Sequence, residues 1–404
     1  ASSGDTVLVA AGTYTENIIW PDVNGIKLIS AGDSSNTIID GGGTSSVIHM
    51  NPSSATIDTT TLIQGFKITN GGGVSNGGGL TILVAAKVSN CLITKNESSL
   101  SGGGIYLSNA GIIRNSKITD NKTTSSGQDY GGGGIYLGGS SKAVNCIITN
   151  NYSYGFGGGA FFKNGTISYS EIRNNTAGSD GEAIGNREPS TNVIDNTKII
   201  GHQDGIAVMF WSGGTITISN SKFIENNSAL SSRTPQSLTI SNSDFIRNKY
   251  YAISTSRNYP SGSTRNISNC NFIENNAYGG NNSATVGISN LSDYTSSSVF
   301  VNSNFVNKNN ALINYDNSKT ITAINNYWGD SSGPYHPSQN TSGKGDSTNS
   351  YVNVDPWLTA PNTDAPPIPA QNLTLTASTA TSASFRWDAS KMGDIAGYKF
   401  YYDT

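Results

Sequence analysis

The chain has 404 residues, a formal net charge of -3 and 13% charged residues, with 35% hydrophobic residues and 47 glycines. Charge at about half the usual fraction, with no basic tract, excludes a protein that grips nucleic acid through a cationic face. No apolar run of about 18 residues offers a membrane-spanning helix.

In chain order, the sequence opens at Ala1-Ser-Ser-Gly-Asp-Thr-Val-Leu-Val9, already inside a strand. From Cys91 onward a hydrophobic-polar phrase ending in Asn returns every 22 to 33 residues: Cys91-Leu-Ile-Thr-Lys-Asn96, Ser116-Lys-Ile-Thr-Asp-Asn121 and Cys146-Ile-Ile-Thr-Asn-Asn151 open the series. Ser170, Ser221, Ser243, Cys270 and Ser303 start later copies, the last with its Asn displaced to Asn309, and Thr197-Lys-Ile-Ile-Gly-His202 is a degenerate copy. Each period holds two or three short alternating segments, as in Gly103–Ser108, Gly111–Arg114 and Ser116–Thr119. These are too short for helices and too regular for loops. Such a period of short strands predicts a solenoid in which each strand pairs in parallel with its equivalent one coil on. The fold expected is therefore all-β, a single-stranded parallel β-helix of about 12 coils.

The recurrent Asn suits a corner, because its carboxamide bonds neighbouring backbone groups and tolerates a tight bend. Stacked copies predict an internal ladder. Cys91, Cys146 and Cys270 take the small inward position that Ser takes elsewhere, which makes them buried free thiols. A second column, Gly77-Gly-Gly79, Gly102-Gly-Gly104, Gly132-Gly-Gly134 and Gly157-Gly-Gly159, predicts close approach of coils and a shallow trough without side chains. Trp20, Trp328 and Trp357 fall near the ends of the solenoid and read as capping or core aromatics.

Repeats fade after Ile324-Asn-Asn-Tyr-Trp-Gly-Asp-Ser-Ser-Gly-Pro334, and a Pro-rich linker at 359–370 follows the solenoid of residues 1–358. Beyond it, Asn372–Thr376, Ser384–Trp387 and Ala396–Tyr402 alternate with period two and read as the first strands of a truncated β-sandwich segment, 371–404. Because a solenoid needs its first hydrophobic layer covered, an amino-terminal cap and an export signal are expected upstream of Ala1.

Three phrases carry a family likeness: Gly4–Asn17, Thr37-Ile-Ile-Asp-Gly-Gly-Gly43 and Asn325-Asn-Tyr-Trp-Gly-Asp330. They resemble the pectate lyase-like superfamily of right-handed parallel β-helices over residues 1 to about 358. The tail resembles the start of a fibronectin type III module, with Trp387 and Tyr398 where such modules place core aromatics. The superfamily resemblance implies an extracellular protein, secreted or at the cell surface, acting on polysaccharide across one sheet face. It contains lyases, esterases, hydrolases, epimerases and non-enzymatic surface proteins, so fold alone does not set the reaction. No complete signature of one enzyme subfamily is present: the polygalacturonase Asn-Thr-Asp, Asp-Asp and Gly-His-Gly set and the Arg-containing calcium-site pattern of pectate lyases are both missing.

Polysaccharide cleavage needs two carboxylates for acid and base work, or a base and a cation acting on a uronate. In a stacked fold that set should interrupt the columns, and the interruption lies at residues 171–211. There the glycine column becomes Asp180-Gly-Glu182 and then Gln203-Asp-Gly205, while the ladder Asn becomes His202. A register stacking Ala160, Ala183 and Ile206 brings Asp180, Glu182 and Asp204 onto neighbouring coils. These three with His202 are the candidate catalytic residues. Arg173, Arg187, Glu188, Arg233 and Trp211 are candidate substrate-binding residues, Trp211 as a stacking surface for a sugar ring. Arg247 and Arg257 extend the positive side. Asp120 and Asp129, beside Tyr130, are candidate calcium ligands, although calcium wants six to eight oxygens.

The expected activity is endo-acting hydrolysis of a polysaccharide by a carboxylate cluster. Two alternatives stay open: lyase action on a uronic-acid glycan, and a non-enzymatic adhesion or glycan-binding β-helix. The partner is a polysaccharide, with neither nucleic acid nor a membrane span, and the chain is expected to be monomeric.

Overall fold

The computed structural model describes residues 1–53, 56–127, 129–255, 262–276, 284–288, 297–307, 310–368, 370–379, 381–390 and 397. Three strands of each period stack into three parallel sheets, as the repeat predicts. Among the described residues, the first sheet has 14 strands beginning with Thr6–Val9, the second has 12 beginning with Gly12–Thr15, and the third has 14 beginning with Ile18–Ile19. Strands of two to six residues suffice because their backbone groups pair with the coils above and below, so no strand depends on its own length.

Alternation sends one residue of each triplet into the core. On the second sheet the inward column runs through Ile93, Ile118, Ile148, Ile172 and Ile199, then Phe223, Phe245, Phe272 and Phe305. The four Phe rings stack face to face, 4.7 to 5.2 Å between centroids, and the stack ends on Trp328, 4.6 Å from Phe305. Trp20 and Trp328 are buried, and Trp357 packs against the core from outside.

Two small residues per coil close the corners. At one, the Asn carboxamides form the expected ladder: Asn96 donates to Asn121, Asn121 to Asn151 and Asn151 to Asn175, each at 3.0 Å. The bend itself belongs to a different residue, the one before the ladder Asn. Lys95, Asp120, Asn150 and Asn174 hold positive φ there, between 52° and 57°. The ladder's lower end also differs from the sequence expectation. Asn307 takes the position, accepting from the Asn275 backbone N–H at 3.0 Å, and hands on to Asp346; Asn309 lies outside the described residues. Cys91, Cys146 and Cys270 are buried free thiols in line with the Ser column, as expected.

A fourth, five-stranded sheet overlies the Gly corner of coils from Val74–Asn76 to Thr176–Ala177. It fills the space assigned above to an open trough. Gly78, Gly103, Gly133 and Gly158 are buried beneath backbone; a Cβ on Gly158 would lie 2.4 Å from the Thr176 carbonyl oxygen. The column thus brings coils together but leaves no trough at that corner.

After the solenoid, residues 361–368 fold back onto the outer face of the second sheet. Asn304 and Asn271 donate to the carbonyls of Asn362 and Pro366, and Ile368 packs on Ile246, Ile273 and Val306. Gln371–Ser378 and Ala383–Asp388 form an antiparallel pair, consistent with the start of a sandwich. Trp387 is 39% exposed on this two-stranded sheet, so it is not a core residue here; Tyr398 and, apart from Gly397, the strand expected at 396–402 lie outside the described residues.

Candidate functional site

The column break is real, but its register differs by one from the sequence reading. Ala160 pairs with Ile184 and Ile184 with Val208, so each coil here advances 24 residues and Gly157 aligns with Gly181, not Asp180. Backbone conformation decides this: Gly157 and Gly181 both sit at positive φ, 66° and 74°, a corner that glycine adopts without strain.

Glu182 therefore stands where Gly158 stands one coil earlier. A side chain fits because the fourth sheet ends at Ala177, and the next coil turns from His202 to Gly205 without a strand there. Glu182 is 2% exposed; its carboxyl accepts from the backbone N–H groups of Asp204 and Gly205, while Oε2 is buried without a hydrogen-bond partner among the described residues. Burial, then the charge of nearby Asp204, push its pKa up to about 7. Asp204 itself is exposed.

His202 occupies the ladder position between Asn175 and Asn226. Its backbone N–H donates to Asn226 Oδ1 at 3.2 Å and its Nδ1 lies 3.1 Å from the same oxygen, while Nε2 is buried without a partner among the described residues. Burial lowers its pKa to about 4, so the ring is neutral at pH 7.

Beside these groups the outer face of the third sheet carries an aromatic platform that the sequence reading missed. Tyr106 stacks on Tyr136 at 4.4 Å and Tyr136 on Phe161 at 5.9 Å, in register on adjacent strands. The signal was the alternation Ile105-Tyr106-Leu107, Ile135-Tyr136-Leu137 and Ala160-Phe161-Phe162, which sends the middle residue outward. Gly185 follows Phe161 in this column, and Phe156 covers the gap its missing side chain leaves; a Cβ there would come 3.0 Å from Phe156 Cβ. Phe156 meets Trp211 edge to face at 6.1 Å.

Trp211 carries two guanidinium groups, Arg233 at 3.5 Å and Arg187 at 4.3 Å from its ring centroid. Arg233 reaches Asp180 at 3.9 Å. Glu188 pairs with Lys163 at the platform's edge, and its charge, after burial and Tyr106, helps raise the pKa of Tyr136. The structure thus brings Asp180, Glu182, Asp204, Arg187, Glu188, Trp211 and Arg233 to one corner and sheet face, with His202 in the corner behind.

Arg173 is not with them. It lies on the second sheet and pairs with Glu171 at 2.9 Å. Arg247 likewise pairs with Glu225 at 2.8 Å, and Arg257 lies outside the described residues. Met209 and Phe210 are buried, leaving Trp211 alone to offer a ring edge from that phrase. Asp120 sits in a bend after the second-sheet strand Lys117–Thr119, where it accepts from the Thr119 hydroxyl, and Asp129 lies in the loop before Gly131. Among the described residues no three His, Cys, Asp or Glu side chains converge as a metal site, and no helix is long and apolar enough to cross a membrane.

No curated protein matches the chain. Among solved structures it is similar to the catalytic unit of a thermostable GH87 alpha-1,3-glucanase from Streptomyces thermodiastaticus strain HF3-3, with 14% identity and a TM-score of 0.47. That likeness covers 88% of this chain and 64% of the glucanase unit, so the chain spans less than two thirds of its length. The family model described as "Right handed beta helix region" matches residues 11–213, half of the chain, and the protein belongs to that family.

Proposed function

We propose that this is an extracellular carbohydrate-active protein that binds an extended polysaccharide along the outer face of the third sheet and hydrolyses it internally at the Glu182–Asp204 corner. The observation that carries the reading is a single juxtaposition: a carboxyl that holds its proton near neutrality, a second exposed carboxylate beside it, and an adjoining aromatic platform. Glycoside hydrolysis uses one carboxyl as acid and another as base or nucleophile, with their pKa values held apart. Glu182 suits the acid, since burial and the Asp204 charge keep it protonated. Asp204 suits the partner role, and Asp180, oriented by Arg233, is the second candidate. Tyr136 is buried between Tyr106 and Phe161, so the ring edges of Tyr106 and Trp211 are what the platform offers a sugar, and Arg187 and Arg233 add positive charge that favours an acidic sugar.

Glu182 is enclosed, so it reaches a bound glycan only when the turn Gln203–Gly205 lifts. That same enclosure favours the second reading, a glycan-binding surface protein without turnover. Substitution separates the two. E182Q and D204N should each lower turnover about 10²-fold or more with binding retained, whereas W211A should weaken binding. A chain whose glycan affinity depends on Trp211 but which shows no turnover is a binder.

A further inference from the structure

The corner between the first and second sheets forms a groove that runs along the solenoid on a different face from the candidate site. At its lower end the groove already holds a chain, the protein's own segment 361–368. Ala365 and Ile368 are buried there, and Asn271 and Asn304 read the segment's backbone carbonyls. Asp364 and Pro366 stand beside Lys222 at the upper limit of this occupied stretch.

Above that point the groove continues coil by coil and is open. It encloses about 500 Å³ bounded by Lys117, Ile147, Tyr169 and Lys198, with Asn carboxamides along the corner. Ile147 is 41% exposed and Tyr169 62% exposed. Glu171 is paired with Arg173, while neither Lys117 nor Lys198 is ion-paired among the described residues. The open stretch therefore presents two cations around an apolar patch, a chemistry complementary to the acidic and apolar residues of the segment seated below it.

We propose that this open stretch docks an extended acidic polypeptide, with carboxylates on Lys117 and Lys198 and an apolar side chain between them on Ile147 and Tyr169. Register sets the spacing. Lys117, Ile147, Glu171 and Lys198 are successive members of one outward column. Three coils at about 4.8 Å separate the lysines by about 14 Å, which an extended chain covers in about four residues. Even-numbered steps keep side chains on one face. The pattern fitted is acidic, any, apolar, any, acidic.

The test is fluorescence anisotropy of the full chain with a labelled peptide carrying Asp at its first and fifth positions, Leu at its third and Thr, which favours the extended strand, at the second and fourth. Saturable binding is expected. K117A and K198A should each weaken it about threefold, as exposed charge contacts do, and I147D should abolish it with an unchanged circular dichroism spectrum. W211A should leave it as in the wild type, since that residue lies on another face. Absence of saturable binding, or binding indifferent to all three groove substitutions, would overturn the proposal. An oligouronate that depends on Lys117 and Lys198 while the peptide fails to bind would make the occupant a glycan and overturn it equally.

Discussion

A ladder carboxamide does not make the bend; each one satisfies backbone groups on its own coil and the coil before, and bonds the ladder side chain of the coil after. Asn151 donates to the carbonyls of Ile118 and Thr149 and to Asn175, and accepts from the Asn121 backbone and side chain. N151A leaves several buried donors and acceptors unpaired, each worth about 1–3 kcal/mol. A loss of about 3 kcal/mol in urea unfolding is expected; a loss below 1 would mean that water replaces the ladder freely. Glu182 and His202, in the same corner, couple stability to pH with opposite signs. Between pH 4.5 and about 7 folded Glu182 holds a proton that the unfolded chain releases, so stability falls as pH rises. Between pH 6.5 and about 4 the unfolded chain binds a proton that buried His202 refuses, so stability falls as pH drops. E182Q should thus gain on the wild type as pH rises from 4.5 to 8, by at most about 3 kcal/mol, and H202N should gain as pH drops from 6.5 to 4. Parallel pH-stability curves for variant and wild type would contradict both assignments.

At the scale of the element, what could be read from the chain and what could not have the same origin. Stacked strands, the ladder and the small inward column of Ser and Cys were legible because coil after coil repeats them in nearly the same chemical form. The register at residues 180–206 was not, since matching Gly157-Gly-Gly159 to Asp180-Gly-Glu182 letter by letter ignores which glycine must hold positive φ. Nor does composition announce the fourth sheet, whose strands of two to five residues look like loop; its end at Ala177 is what opens room for Glu182. Glycine's two uses separate cleanly in this element. A Cβ at Gly158 would press on the Thr176 and Glu182 carbonyls, at 2.4 and 2.6 Å, whereas one at Gly42 meets nothing although φ is 64°. G158A should therefore cost about 1–3 kcal/mol or more through overpacking, and G42A about 1 kcal/mol through backbone strain alone. Equal midpoints for the two variants in thermal unfolding would show that the coils can separate at the glycine column.

For the whole molecule, stacking makes the chain a rod with distinct long faces. The third sheet carries the aromatic platform and, at its corner, the shifted carboxyl, while the groove beside the second sheet carries the protein's own linker. Because each coil touches only its neighbours, changes on one face should leave the other unaffected. That separation lets the central claim, hydrolysis at the Glu182–Asp204 corner, be tested directly. The measurement is mass spectrometry of products after incubating the chain and its D204N variant with neutral and uronic-acid polysaccharides. Hydrolysis there predicts oligosaccharides that have gained one water per cut from the wild type and at most about 1% of that yield from D204N. Unsaturated ends would contradict hydrolysis, and the absence of products from every substrate by a folded chain would contradict catalysis altogether.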